Sequence, residues 1–370
     1  MNEFSREKIE EELNKILDEQ KVPNVLICGQ TGAGKSSVIN FVFEADVAEV
    51  GEAAERCSEG IHYYPHDTVN IYDSEGYEID NDKHPFAEYK RLVFDEFLMS
   101  HKNVQEQDAV HLIWYTVSGA GKRFTDTDGE LIGKIKQAGF HIAVLITKID
   151  ELDETELNDM VTSVQGVVST NVIFNLSRKA DKNPTIAAFC DWDKLLNWSY
   201  EALPEVCRSY FVESLKTGLK EKREEAEKFI GKLKPVAIGI AVFVPVIDAI
   251  VLTPLWVAMI QHILKLYGVK KAEKKLINEL VKKLLVSMLE KLISGALLEI
   301  IPIFGPAASG KLAGKLTGQI GTSLSTYCYD ECLDSINSTV NINSIERYMK
   351  SADFRDRIKK GLDKPDAYTA

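Results

Sequence analysis

Long uninterrupted apolar runs are absent from this 370-residue sequence. The two best candidates, 235–264 and 292–310, are broken by Pro235, Pro245, Asp248 and Pro254, and by Glu299, Pro302 and Pro306. The pieces fall short of the about 20 apolar residues that cross a bilayer, so a buried or interfacial helical hairpin is expected instead. The charged N-terminus has no apolar leader segment, which gives the expectation of a cytoplasmic protein. Cysteine is scarce. Cys28, Cys57, Cys190, Cys207, Cys328 and Cys332 follow neither zinc-ligand spacing nor a disulfide framework, as expected in a reducing compartment. Positive charge is in deficit: 44 Lys and Arg face 56 Asp and Glu, for a net −12. That balance argues against a basic face over the whole molecule, and no nucleic-acid partner is expected. The deficit is uneven, because residues 231–321 hold 12 Lys and only five acids, leaving the rest of the chain at −19.

Hydrophobic residues make up 45% of the chain and charged residues 27%, enough apolar material for packed cores. The length suggests about two domains. Residues 5–20 place Ile9, Leu13, Ile16 and Leu17 on one face of an acidic helix that Ser5 can cap, expected to dock on the following domain. From Val22 to about Tyr210, short apolar strands alternate with helical stretches, the pattern of an α/β domain with a mostly parallel sheet. The expected strands are Val22–Cys28, Thr68–Tyr72, Ala109–Val117, His141–Ile146 and Asn171–Asn175. Beyond Tyr210 the pattern is helical only, with an apolar stripe from Leu276 to Ile293. The expected division is an N-terminal helix over 1–20, an α/β domain over 21–210, an all-α helical domain over 211–345 and a polar tail over 346–370.

Gly29-Gln30-Thr31-Gly32-Ala33-Gly34-Lys35-Ser36 follows the first strand and is continued by Ser37 into a helix. Such a loop aims successive backbone N–H groups at an anion, and the helix N-terminus favours negative charge there. In this pattern Lys35 reaches the β- and γ-phosphates and the Ser36 hydroxyl ligates Mg2+. Asp73-Ser74-Glu75-Gly76 ends another strand, where Asp73 can hold Mg2+ through water and the Gly76 N–H can meet the γ-phosphate. Thr147-Lys148-Ile149-Asp150 ends a third. The Asp150 carboxylate can accept from guanine N1–H and N2–H2, donors that adenine lacks, while the Lys148 stem lies along the base. Ser177, followed by Arg178, closes the fifth strand, where a backbone N–H can contact the guanine oxygen. Each motif sits at a strand's carboxyl end, where parallel sheets place their ligands.

With these four motifs in order, the sequence resembles the Era-like branch of translation-factor-related P-loop GTPases over Val22–Tyr210. The phosphate loop looks most like that of bacterial GTPases carrying a C-terminal hydrophobic helical domain of unknown function, and also resembles septin-like and immunity-related GTPases. Ile301-Pro-Ile-Phe-Gly305-Pro306 with Gly310, Gly314 and Gly318 is similar to that helical domain. The resemblance implies a switch that binds GTP and GDP with Mg2+ and hydrolyses GTP, Lys35 and Gly76 serving the chemistry. Tyr77 stands where Ras-like enzymes carry a water-orienting Gln. Slow hydrolysis, or hydrolysis completed by a partner or by a homodimer through the G domain, follows from the resemblance. Gly32 replaces the Asn of potassium-activated relatives. Glu52–Tyr64, the expected switch loop, has no Thr, which leaves Ser58 as a Mg2+ ligand or as a solvated loop residue. Gly119-Ala-Gly-Lys122 reads as a strand-end turn, not a second phosphate loop.

The Gly310, Gly314 and Gly318 ladder permits close helix approach, in a soluble bundle or inside a membrane. A buried helical core, reversible association with an anionic membrane surface and an integral segment are thus three open readings of the helical domain. Two functional readings compete with the switch: a nucleotide-dependent membrane-binding or scaffolding protein with little hydrolysis, and an ATPase.

Overall fold

Continuous apolar stretches form the central strands, because parallel strands covered on both faces have no solvent side to alternate towards. The computed structural model describes residues 11–17, 19–43, 55–58, 60–78, 85–121, 124–243, 249–269, 306–334 and 340–362. Two compact units emerge: Lys21–Gly218, and Leu219–Ala370 together with Met1–Gln20.

The first unit holds seven strands, β1 (Asn24–Gly29), β2 (Glu55–Ser58), β3 (Ile61–Tyr64), β4 (Asn70–Ser74), β5 (Leu112–Ser118), β6 (Ile142–Thr147) and β7 (Ile173–Asn175). They form one sheet in the order β2-β3-β4-β1-β5-β6-β7. β3 pairs antiparallel with β2 and β4, and the remaining pairs are parallel. The antiparallel hairpin was not expected: the segment read as the switch loop supplies two short strands instead, and Ser58 ends β2 opposite Ile61. The side chain of Ser58 lies outside the described residues.

Helix α1 spans residues 11–17. Helices of the first unit cover the sheet: α2 (Lys35–Val42), α3 (Phe86–Lys90), which continues as a π-helix over Arg91–Leu98, α4 (Asp126–Gln137), α5 (Glu154–Gln165), α6 (Pro184–Ala187), α7 (Trp192–Ala202) and α8 (Glu205–Ser214). Leu131, Ile132 and Ile135 of α4 and Val164 of α5 pack with Tyr115, Val117 and Val144 in one core layer. Elsewhere Phe43 stacks with Trp114 and meets Phe211 edge-on, and Lys216 N–H donates to the Val42 carbonyl. These contacts carry the unit to Gly218, past the boundary near Tyr210 suggested by the change in pattern. Gly119–Gly121 forms a short turn at the end of β5, as its incomplete spacing implied.

In the other unit, α9 (Leu219–Phe243), α10 (Ala249–Leu266) and α11 (Pro306–Asp334) are joined by α12 (Ile342–Lys350) and α13 (Ala352–Leu362). Pro235 and Pro254, expected to interrupt helices, lie inside α9 and α10. Each removes one N–H donor and leaves the helix continuing. Gly314, Gly318 and Gly321 present the small face of α11 to α9: a Cβ added at Gly314 would come within 2.7 Å of Ile238, and one at Gly318 within 2.6 Å of Lys234. Trp256 donates its indole N–H to Thr317 Oγ1 at 2.9 Å across α10 and α11. The polar tail expected from 346 is instead helical to Leu362, with Tyr348, Met349, Phe354 and Ile358 buried. Residues 1–20 group with the helical unit. Ser5 and Ile9, Pro245 and Asp248, and the stripe from Leu276 to Ile293 lie outside the described residues. No helix among the described residues is long and apolar enough to cross a membrane.

Candidate functional site

The loop Gly29–Ser36 connects β1 to α2, whose first turn receives no side-chain cap. The N–H groups of that first turn therefore have no side-chain cap and can serve an outside acceptor. Glycine is required at Gly29, which has φ of 132° and where a Cβ would collide with the Thr116 carbonyl. Lys35 is buried and folds back on its own loop, donating to the Gln30 carbonyl at 3.2 Å and the Gly29 carbonyl at 3.4 Å. Burial lowers its pKa, against the opposing charge of Asp73. Ser36 is exposed at the helix start.

Asp73, on β4, lies beside this loop and β1. Burial pushes its carboxyl up to about 6, against the nearby positive groups Lys35 and His62. Its Oδ1 is buried and has no hydrogen-bond partner among the described residues. A buried carboxylate oxygen without a partner, on the strand beside the phosphate loop, suits a hard, oxygen-preferring cation such as Mg2+. Gly76, with φ of 83°, leans on the loop, and a Cβ there would stand 2.8 Å from both Lys35 Nζ and the Thr31 nitrogen.

The third motif is tied to the phosphate loop directly. Thr147 Oγ1 donates to the Ala33 carbonyl at 2.7 Å and Lys148 Nζ to the Gly32 carbonyl at 2.9 Å. Asp150 sits in the turn after β6, its two carboxylate oxygens met by Ser177 Oγ at 2.5 Å and Lys179 Nζ at 2.6 Å. Burial acts upward on the Asp150 carboxyl, but the Lys179 and Ser177 hydrogen bonds outweigh it and hold the group below the usual carboxylate range. A cavity of about 210 Å³ opens between Gly34, Thr147, Lys148, Asp150, Ser177 and Trp192, with Ser37 and Arg178 also on its wall. The structure thus gathers the phosphate loop, Asp73, Gly76, Thr147–Asp150 and Ser177 at the carboxyl ends of β1, β4, β6 and β7.

Trp192 and Lys179 escaped the sequence reading, and Tyr77 was read only as the replacement for a Gln. Trp192 donates its indole N–H to the Ser177 carbonyl at 3.2 Å and stacks on Phe41 at 4.0 Å, so it forms a rigid aromatic wall. Lys179, two residues past Ser177, neutralises Asp150. Tyr77 is buried, its ring 5.0 Å from that of Tyr89, whose hydroxyl accepts from the Gly29 N–H at 2.7 Å. The signals available were an aromatic residue opening α7 and a Lys two residues past Ser177.

No protein-family model matches the chain. Among curated proteins, the "Probable GTP-binding protein EngB" of Mycoplasmopsis pulmonis (strain UAB CTIP) is 28% identical over 144 residues, which is 38% of this chain and 73% of that protein. Its counterpart in Aquifex aeolicus (strain VF5) is 24% identical over 163 residues, covering 43% of this chain and 84% of the relative. A solved EngB structure is 13% identical with a TM-score of 0.35, covering 48% of this chain and 97% of its own. A solved Era, bound to MgGDPNP and a segment of 16S ribosomal RNA, is 16% identical with a TM-score of 0.32, covering 56% of this chain and 67% of its own.

Proposed function

We propose that this protein, a GTP-binding P-loop GTPase related to EngB and Era, is a slow guanine-nucleotide switch whose output is the helical unit. The observation that carries the guanine assignment is Asp150, a carboxylate held ionised on the wall of a cavity that opens beside the phosphate loop. Guanine N1–H and N2–H2 replace Lys179 and Ser177 as its donors, and adenine offers neither. Lys148 and Trp192 then flank the base.

At the other end, the N–H groups of Gly32–Ser36 and the N-terminus of α2 receive the phosphates, and Lys35 turns from its own carbonyls to the β- and γ-oxygens. Ser36 and Asp73 are the Mg2+ ligands in this reading, the orphaned Asp73 Oδ1 being filled by a metal-bound water. When bound, Mg2+ neutralises charge developing between the β- and γ-phosphates. Gly76 offers its backbone N–H to the γ-phosphate.

The slow rate follows from Tyr77. A phenol stands at the position whose Gln orients the attacking water in Ras-like enzymes, and it lacks the paired amide donor and acceptor that such orientation uses. A second copy or another protein completes the site. Single-turnover GTP hydrolysis measured against protein concentration, alongside gel filtration, tests this. A rate per molecule that rises with concentration supports completion by a homodimer, and a fast, concentration-independent rate removes the slow-switch reading.

A second reading rests on the Lys surplus of residues 231–321: the helical unit docks on anionic lipid in one nucleotide state. Sedimentation with anionic vesicles under GTP, GDP and no nucleotide decides it. Absence of binding in all three removes the membrane role.

A further inference from the structure

Asp128 is fully buried in the first turn of α4 and has no Lys or Arg partner among the described residues. Five donors converge on it instead. Oδ1 accepts from Tyr77 at 2.5 Å and from Tyr115 at 2.7 Å. Oδ2 accepts from Gln30 Nε2 at 2.9 Å, from the Thr125 N–H at 3.0 Å and from Thr125 Oγ1 at 2.7 Å. Thr125 and Asp128 make the capping box of α4, and that local role accounts for the Thr125 contacts alone. Capping does not require Oδ1, which is devoted to two tyrosines from other segments.

Two of the three remaining contacts span the phosphate site. Gln30 belongs to the phosphate loop, and Tyr77 directly follows the Asp73–Gly76 motif. Their backbones meet as well: the Thr31 N–H donates to the Tyr77 carbonyl at 3.0 Å, and Gly76 rests against Lys35 Nζ. One buried carboxylate therefore ties the phosphate loop to the Asp73–Tyr77 segment on the side where Lys35 lies, which in the proposed reading receives the terminal phosphate. In this arrangement a carbonyl oxygen, which repels phosphate oxygens, holds the Thr31 N–H, and Lys35 is retracted onto Gly29 and Gln30.

We propose that Asp128 is a positioning residue that latches the Asp73–Tyr77 segment onto the phosphate loop, so that a nucleoside triphosphate must release Tyr77 to bind and a diphosphate need not. The proposal rests on the guanine-nucleotide reading of the site. It assigns to the base of α4 the part of switch mechanics that discriminates the two nucleotide states. A buried, charge-assisted hydrogen bond is strong enough to bias that choice by about tenfold.

The test compares Tyr77→Phe with Tyr115→Phe in the full chain with Mg2+, since each deletes one hydroxyl from the same carboxylate oxygen but only Tyr77 belongs to the latched segment. Calorimetry gives Kd for GDP and for a non-hydrolysable GTP analogue. The expected result is that Tyr77→Phe tightens the analogue about tenfold relative to GDP, while Tyr115→Phe leaves the ratio within about twofold. Asp128→Asn, which keeps the side-chain shape, is measured as a second route and must move the ratio in the same direction. An unchanged or reversed ratio in Tyr77→Phe, or an equal shift in Tyr115→Phe, overturns the latch and leaves guanine binding intact. Failure of the unmodified protein to bind either nucleotide overturns the functional reading, and the latch with it.

Discussion

The two ends of the nucleotide site are both filled by the protein's own groups, but by different means. At the base end, Asp150 is held by Ser177 and by Lys179, whose side chain is 68% exposed. At the phosphate end, Tyr77 and Gln30 converge on the fully buried Asp128, and Lys35 is folded onto its own loop. An exposed ion pair contributes about 1 kcal/mol or less, whereas a buried hydrogen bond to a charged group contributes about 1.5–3 kcal/mol. In the proposed reading guanine displaces the exposed Lys179 from Asp150 at small cost, and the phosphate end resists. We propose that the base end selects which nucleotide enters and that the phosphate end separates triphosphate from diphosphate.

The strongest way to break this comparison is Asp150→Asn. It removes the acceptor pair that the proposed reading matches to guanine, so affinity for GDP and the GTP analogue is expected to fall by about 100-fold or more. Xanthine nucleotides, with a carbonyl where guanine has its amino group, should gain, and calorimetry with both bases checks it. Next is Asp128→Ala, which strands two tyrosine hydroxyls and the first turn of α4 in a buried site. It is expected to lower the stability of the α/β unit by about 3 kcal/mol, read from urea unfolding. An exposed-pair cost below about 1 kcal/mol would erase the contrast between the ends.

Chelating Mg2+ sharpens the distinction further. Affinity for the triphosphate is expected to drop about tenfold while GDP, gripped at its base, changes less. The smallest effect belongs to Lys179→Met. Removing an exposed competitor for Asp150 should tighten GDP by about two- to fivefold. A large loss of GDP affinity would instead make Lys179 part of the guanine contact.

The motifs gathered at the strand ends were legible in the sequence because each depends on local chemistry. The Gly-x4-Gly-Lys-Ser spacing, an Asp at a strand end and Thr147–Asp150 need no knowledge of distant residues. The parallel strands were legible for the same reason, being short apolar runs followed by helical periods. What was not legible depends on partners far apart in the chain. Asp128 is one acid among several in Asp126-Thr127-Asp128-Gly129-Glu130, and only the fold brings Gln30, Tyr77 and Tyr115 to it. The β2 and β3 hairpin escaped because strands of four residues carry too little periodicity. Pro235 and Pro254 misled in the other direction, since tertiary packing of Leu233, Ala237, Leu255 and Trp256 holds their helices intact. The terminal helices did carry a signal, Ile345, Met349, Phe354 and Ile358 at helical spacing, obscured by the charged residues between them.

The central claim, a site that reads guanine through Asp150, is tested most directly by titrating the full chain with GDP and with ADP in the calorimeter at equal Mg2+. GDP is expected to bind at least about 100-fold more tightly than ADP. Equal affinities, or binding of ADP without GDP, would contradict the account.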